Sequence, residues 1–134
     1  MEVNYSVIIE YFAERHYIKS FQKKYKTAWD ETLRSIIEQF ERIDNLLSET
    51  DRAELITEID TIKIIKTSFR VARTKESAKT SGNRCIVLVD EKKKTASILL
   101  VYTKTDLPST HETAEWKKLI LNNYPEFKKY VSVN

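Results

Sequence analysis

Hydrophobic and polar positions change their period several times in the first half of the chain. Every second residue from 3 to 9 is apolar, which predicts a strand. From residues 18 to 25, and again from 29 to 47, apolar residues recur every three to four positions. This spacing predicts two helices, the second about five turns long. The pattern does not decide whether residues 52–58 add a further helical turn.

The second half of the chain returns to strand patterns. Residues 65–71 alternate between an apolar face and a basic, polar face, residues 84–90 are a nearly continuous β-branched run, and residues 95–102 return after a charged turn. Ser109 and Glu112 make a capping-box pattern that predicts a last helix. The order β-α-α-β-β-β-α predicts an α+β domain. We expect a small antiparallel or mixed four-stranded sheet, with helices mainly on one face and the other face partly open.

Composition bounds the class of protein. The 134 residues, with one glycine and two prolines, predict a single domain over residues 1–134 without a linker. The apolar fraction of 41% and charged fraction of 32% are typical of a globular chain. No apolar run is long enough to span a membrane, and the N-terminus lacks a secretory pattern. A lone cysteine, Cys85, excludes an internal disulfide, so we expect a cytoplasmic protein without membrane contact.

Charge is distributed unevenly. Residues 1–60 hold 8 Lys or Arg against 13 Asp or Glu, whereas residues 61–104 hold 11 against 3. A basic cluster in one part of a small domain favours a polyanionic or acidic partner, such as a nucleic acid.

Familiar catalytic motifs are absent from the sequence. It contains no phosphate-binding glycine loop, no paired metal-binding histidines and no Cys-x-x-Cys. His16 and His111 are isolated, and Cys85 lies inside an apolar run typical of a core. Only three acidic residues occur between 61 and 104, too few for the convergent ligands of a metal nuclease, so we expect neither a metal nor a cofactor.

The remaining candidates are basic and phenolic. Lys66 and Arg70 share the polar face of the second predicted strand, and Arg84 opens the third. Tyr102 and Lys104, two residues apart, point the same way at the end of the fourth. If the three strands are neighbours, these groups converge on one sheet face; otherwise they form an ordinary solvated surface. Two lysines in the intervening loop add positive charge: Lys75 and Lys79.

Two segments resemble signatures of the HigB-like toxins in the RelE/ParE superfamily. Residues 79–88, Lys-Thr-Ser-Gly-Asn-Arg-Cys-Ile-Val-Leu, are similar to the family's Gly-Lys-Ser-Gly-Gly-x-Arg segment and its following strand. Residues 99–105 are similar to its Leu-Leu-x-x-Tyr-x-Lys strand, and the helix around residues 21–25 fits the family's opening. The chain departs from the signature where Ala78 and Ser81 replace glycines.

The resemblance implies the toxin of a type II toxin–antitoxin pair. Such proteins are endoribonucleases that cut mRNA, commonly in the ribosomal A site, and a cognate antitoxin protein neutralises them. Cleavage without a metal uses the substrate's 2′-hydroxyl as nucleophile. The protein then has to accept that proton, stabilise the charge on phosphorus and protonate the leaving 5′-oxygen.

Site roles follow from this resemblance and from side-chain chemistry. We expect Arg84 and Arg70 on the scissile phosphate, with Arg73 as the alternative to Arg70, because a guanidinium binds phosphate in a bidentate manner. Tyr102 would stack on a base or transfer a proton, and Lys104 would act as acid or base. Both proton-transfer roles require neighbouring cations to lower the pKa. Further RNA contacts are expected from Lys66, Lys75 and Lys79, and contacts to ribosomal RNA from Lys19, Lys23 and Lys24.

Two other functions remain open at this point. One is a ParE-like toxin that poisons gyrase by binding protein, and the other is a catalytically inactive relative that binds only an antitoxin or RNA. Neither needs Tyr102 and Lys104 as a reactive pair.

Overall fold

The computed structural model describes residues 5–107 and 111–131, apart from the side chain of Lys104. Its strands are β1 (Ser6–Ile9), β2 (Ala53–Ile59), β3 (Ile62–Ser68), β4 (Asn83–Asp90) and β5 (Thr95–Thr103). Its helices are α1 (Tyr11–Ala13), α2 (Lys19–Tyr25), α3 (Thr27–Phe40), α4 (Ile43–Glu49), α5 (Ala78–Ser81), α6 (Glu112–Asn123) and α7 (Lys128–Val131). A π-helical segment (Glu14–Ile18) joins α1 to α2, and 3₁₀ turns span Lys104–Asp106 and Pro125–Phe127.

The strands form one mixed sheet in the order β1-β5-β4-β3-β2. β1 pairs in parallel with β5, and the other pairs are antiparallel. The prediction of four strands was therefore wrong, because residues 53–59 form the edge strand β2 rather than a helical turn. A register shift between Leu55 and Thr57 interrupts the alternation of this strand, and Asp60 makes the turn into β3 with φ 54°. An irregular, half-exposed edge strand gives no clear period of two.

One side of the sheet, the N-helix face, packs against helices α1 to α4. The sheet contributes apolar side chains here, and the helices contribute the apolar stripes that the sequence pattern predicts. Central members from the sheet are Ile65, Cys85, Val87, Ile98 and Val101. Their partners from the helices include Phe21, Trp29, Ile36, Phe40 and Ile43. All of these side chains are buried, so this face supplies a dry core.

The opposite side, the C-helix face, is covered as well. Sheet residues that include Ile64, Ile86, Leu88, Leu100 and Tyr102 pack against α6 and the segment after it. Trp116 and Ile120 of α6 are fully buried, and the Tyr124 hydroxyl donates a hydrogen bond to the Leu99 carbonyl at 2.8 Å. The expectation of a partly open second face was wrong for most of this face, because the last helix buries its apolar stripe there.

An extra residue in β5 decides which way the end of that strand points. Leu100 lies opposite Ile86 and Ile98 lies opposite Val87, so Leu99 is inserted without a partner in the ladder. Leu99 and Leu100 both belong to the C-helix face, and the alternation then restarts. Tyr102 therefore points to the C-helix face, whereas regular alternation from Ile98 would place it on the other side.

Candidate functional site

A row of polar side chains lies on the C-helix face, at the edge of the sheet where β3 and β5 end and β4 begins. Ser68 of β3 lies opposite Arg84 of β4, and Arg84 lies opposite Tyr102 of β5. Lys66, two residues before Ser68, shares this face. Glu112, at the start of α6, contacts both Lys66 and Tyr102. We refer to these five residues as the polar cluster. The structure thus brings together Lys66 and Arg84, as strand alternation predicts, and adds Tyr102 through the residue inserted in β5.

Glu112 is the member of the cluster that the sequence argument missed. Its Oε2 accepts a hydrogen bond from the Tyr102 hydroxyl at 2.6 Å and forms an ion pair with Lys66 Nζ at 3.0 Å. The sequence pattern assigned Glu112 only to a capping box with Ser109, which lies outside the described residues. The helix instead begins after His111, which makes no side-chain capping bond. No local spacing in the sequence could have placed this carboxylate beside Tyr102.

The protonation states within the cluster are set by burial and by mutual contact. Burial raises the pKa of Tyr102 above its ordinary value, and the hydrogen bond and charge of Glu112 raise it further, against the opposing charge of Arg84. For Glu112, burial acts to raise the pKa, but the bonds from Tyr102 and Lys66 outweigh it and the pKa is lowered. At neutral pH the cluster therefore holds an ionised carboxylate and a neutral phenol. The lowered tyrosine pKa required by the expected role is not found.

The side chain of Tyr102 is also inaccessible to an RNA ligand. Its side chain is fully buried between α6 and the sheet, so no face of the ring is exposed for stacking on a base. In this conformation its contact with the outside is indirect, through Glu112 and Lys66.

Arg84 is half-buried and held by backbone carbonyls. Its Nη1 donates to the carbonyls of Asn83 at 2.9 Å and Ala78 at 3.4 Å, and its Nη2 donates to the carbonyl of Lys79 at 3.1 Å. These bonds fix the plane of the guanidinium and attach the turn before β4 to the polar cluster. An arginine held in this way is preorganised for an anion.

Side-chain hydrogen bonds within the turn before β4 stabilise it. Ser77 and Thr80 form a reciprocal capping box at the start of α5, and Gly82 ends this short helix with φ 78°. The left-handed backbone at Gly82 is one that glycine adopts without steric cost. The predicted loop that holds Lys75 and Lys79 thus contains an ordered helical turn next to Arg84.

An open cleft adjoins the polar cluster on the side of β2. Its volume is about 490 Å³, and we refer to it as the β2-side cleft. Basic side chains outnumber acidic ones on its walls, and Lys79 reaches Asp51 across it at 3.4 Å between exposed groups. The charged residues lining it are Asp51, Arg52, Glu54, Lys66, Lys79 and Arg84.

Arg70 and Arg73 lie outside the polar cluster. β3 ends at Ser68, so Arg70 follows the strand and lines a separate cleft beside α3. The chain turns there because the backbone N–H of Ala72 donates to Thr32 Oγ1 at 2.8 Å. The placement of Arg70 on the polar face of the strand was therefore wrong. Arg73 forms an exposed ion pair with Glu31 at 2.6 Å, so it does not take the place of Arg70 beside Arg84.

The other predicted contacts are spread over the surface. Lys75 is exposed in the segment before α5, and Lys19, Lys23 and Lys24 are exposed on α2, apart from the polar cluster. The backbone of Lys104 begins the 3₁₀ turn after β5, while its side chain is among the parts that the structure leaves undescribed. Its role as acid or base remains a prediction.

The described residues contain neither a metal-ligand grouping nor a membrane-spanning helix. Within residues 5–107 and 111–131, no three His, Cys, Asp or Glu side chains gather as a metal would require. None of the helices in those ranges combines the length and apolar character needed to cross a bilayer.

Comparisons with known proteins give one similarity in fold. The sequence matches no protein-family model, and no curated protein matches it. Among solved structures, the chain is similar to one described as the archaeal RelE–RelB complex from Pyrococcus horikoshii OT3, with 19% identity and a TM-score of 0.48. The similarity covers 75% of this chain and 96% of that chain.

Proposed function

We propose that this chain is a metal-independent endoribonuclease of the RelE/ParE superfamily, the HigB-like toxin of a toxin–antitoxin pair. It would cleave mRNA at the ribosomal A site and be neutralised by a cognate antitoxin. The observation that carries the proposal is the polar cluster, in which Lys66 and Arg84 line an open basic cleft while Glu112 and Tyr102 lie directly behind them. Cations for a phosphate thus adjoin groups that can exchange protons.

Arg84 would bind the scissile phosphate. Three of its five N–H donors already bond to the carbonyls of Asn83, Ala78 and Lys79. The guanidinium is therefore held in one orientation at the wall of the β2-side cleft, with donors left for a phosphate oxygen. Because its charge is permanent, it can stabilise the charge that develops on phosphorus.

Lys66 would share the phosphate with Arg84. Its ammonium pairs with Glu112 at 3.0 Å, and its side chain is 19% exposed on the cleft wall. A phosphodiester entering the cleft would draw Lys66 partly from Glu112 and leave the carboxylate free to accept a proton. Lys79, 58% exposed at the mouth of the cleft, would contact the RNA backbone.

Proton transfer would begin at Glu112. It is ionised at neutral pH because its pKa is lowered, so it can accept the proton of the 2′-hydroxyl. The 2′-oxygen then bonds to phosphorus as the bond from phosphorus to the 5′-oxygen breaks. The leaving oxygen takes a proton from Lys104, and the products are a 2′,3′-cyclic phosphate and a 5′-hydroxyl. Tyr102, kept neutral by its raised pKa, would orient the carboxylate through its 2.6 Å hydrogen bond.

A second candidate is a relative that binds RNA without cutting it. The observation that favours it is the closed state of the cluster: Tyr102 is fully buried, and Glu112 Oε2 is already bonded on two sides. Such a protein would use Arg84 and the β2-side cleft for binding alone. No contact in the described residues specifically favours the gyrase-directed alternative.

Cleavage on programmed ribosomes tests the proposal. Purified chain would be added to ribosomes carrying a defined mRNA, and new 5′-ends would be mapped by primer extension. We expect discrete ends with the wild type and at least about 100-fold slower cleavage with Arg84→Gln, the scale for loss of one preorganised donor to a developing charge. Arg73→Gln is the matched control, because that arginine pairs with Glu31 outside the cluster.

One outcome would overturn the proposal. Absence of new ends with the folded wild type would remove the nuclease, and RNA binding that still depends on Arg84 would then support the second candidate. Since Arg84 also holds the turn before β4, its variants would be checked by chemical denaturation. Arg84→Lys keeps the charge but loses the planar fork, so low activity in a fully folded Arg84→Lys chain would separate phosphate binding from folding.

A further inference from the structure

A second cleft lies at the outer edge of β5, beyond the polar cluster. We infer that this β5-edge cleft binds a guanine base of the same RNA strand; the inference rests on the proposed function, which it extends to base recognition. The cleft has a volume of about 350 Å³, within the range of small-ligand sites. The residues that line it include His16, Tyr17, Lys24, Tyr25, Thr103 and Asp106.

The cleft exists because β1 covers only part of its neighbour. β1 pairs with residues 95–98 of β5, so the second half of that strand has no strand partner on its outer side. The π-helical segment Glu14–Ile18 and α2 pass along this edge instead. In this segment the N–H of Lys19 bonds to the Glu14 carbonyl, five residues back, which makes a wider turn than an α-helix. Such turns are frequent at functional sites.

The helical wall supplies aromatic surface. Tyr17 and Tyr25 are half-buried, and the imidazole of His16 is exposed, with its centroid 4.4 Å from that of Phe12. Tyr17 packs against the apolar clusters of both sheet faces, which places it at the sheet's edge. No described residue forms a hydrogen bond with its hydroxyl. Flat rings beside an unbonded hydroxyl are suited to a planar ligand with polar edges.

The wall formed by the end of β5 supplies a carboxylate. Asp106 Oδ2 accepts a hydrogen bond from the Thr103 N–H at 2.9 Å, which fixes the carboxylate at the cleft. Asp106 and Tyr17 line the same cleft, and the charge of Asp106 adds to burial in raising the pKa of Tyr17. A carboxylate accepts hydrogen bonds only, and guanine offers two adjacent N–H donors on its Watson–Crick edge. Adenine presents an unprotonated ring nitrogen there and is disfavoured.

The cleft and the polar cluster share the end of β5. Tyr102 belongs to the cluster, and the next residue, Thr103, lines the cleft. Lys24 lines the cleft itself, and Lys19 and Lys23 are exposed on the same helix, so the flanking surface is basic. This charge favours a polyanion, and the carboxylate of Asp106 needs a hydrogen-bond donor, which a base of RNA offers and an acidic side chain does not. The strand that places a phosphate at Arg84 would place a nearby base in the cleft.

Binding without cleavage tests the inference. Labelled 2′-O-methyl oligoribonucleotides, which cannot react, would be titrated with the full chain by fluorescence anisotropy, with guanine or adenine at one position in an otherwise constant uridine sequence. We expect the wild type to bind the guanine oligomer about 10-fold more tightly, within the range of a good base contact. Asp106→Asn keeps an acceptor for the Thr103 N–H but should reduce the preference to within twofold.

A control variant, Asp60→Asn, and a variant of the phosphate site, Arg84→Gln, distinguish failure of the inference from failure of the proposed function. Asp60→Asn removes the same charge in the β2–β3 turn and should leave the preference intact. If wild-type binding depends on Arg84 but shows no guanine preference, the inference is overturned and the proposed function stands. If the preference depends on Asp106 while Arg84→Gln changes nothing, the phosphate site fails and the cleft stands. Capture of a protein segment with no RNA binding would overturn both.

Discussion

The two faces of the sheet differ in what they bury. The N-helix face is apolar, and its lone thiol, Cys85, is buried with its pKa raised to about 12. The C-helix face is apolar over most of its area but ends in the polar cluster, where Lys66, Tyr102 and Glu112 bond to one another. Polar groups are costly to bury unless they are bonded, and they add nothing to the fold that apolar residues could not supply. Both faces thus supply a buried core, and the polar end of the C-helix face is the part to which the proposed function assigns the chemistry.

The largest effect on stability should come from the N-helix face. Trp29 is buried and stacks on Phe21 with ring centroids 4.8 Å apart. We expect Trp29→Ala to lower the free energy of unfolding by about 3–5 kcal/mol, because it leaves a large cavity. Urea denaturation measures this. A loss below about 1 kcal/mol would show that this face is not the main core.

A smaller effect is expected on the C-helix face. Tyr102→Phe keeps the ring but removes the hydrogen bond to Glu112, so we expect a loss of about 1–2 kcal/mol in the free energy of unfolding. Tyr130→Phe is the control, because that hydroxyl forms no hydrogen bond among the described residues. Equal losses in the two variants would contradict a specific role for the bond. Ribosome-dependent cleavage should fall only in Tyr102→Phe.

The smallest effect concerns pH. The pKa of Glu112 is lowered below its ordinary 4.5 in the folded chain. The carboxylate therefore contributes stability above about pH 4.5, and this contribution is lost as the pH falls through the lower folded value. We expect Glu112→Gln to lose less stability than the wild type between pH 6 and pH 3, as measured by urea denaturation. An identical acid dependence in both chains would contradict this network.

Much of the fold follows from the hydrophobic pattern. The stripe from residue 29 to 47 predicts one long helix, which the structure divides into α3 and α4 on the N-helix face. The apolar run at 84–90 predicts the central strand that the structure contains. β2 was not predicted, because its register shift near Leu55 breaks the alternation. The covering of the second face was also missed. A helix's apolar stripe shows that it packs, but not on which side of a sheet.

The site was predictable in its basic half and not in its acidic half. Lys66 and Arg84 follow from strand alternation, since both stay in register on β3 and β4. Tyr102 reaches the same face only because Leu99 is inserted, which depends on packing rather than on period. Glu112 arrives from a helix across a long connection, so local spacing could not place it beside Tyr102. The predicted position of Arg70 was wrong because β3 already ends at Ser68, and a hydrogen bond to Thr32 bends the chain after it.

The most direct test of the central claim is cleavage of an mRNA with a single 2′-deoxy substitution at the mapped site, on ribosomes, with wild-type chain. The account predicts that the unmodified mRNA is cut to a 2′,3′-cyclic phosphate and a 5′-hydroxyl, and that the substituted mRNA stays intact at that position. Cutting of the substituted mRNA at the same site and rate would contradict attack by the 2′-hydroxyl, and with it the assigned roles of Arg84, Lys66 and Glu112.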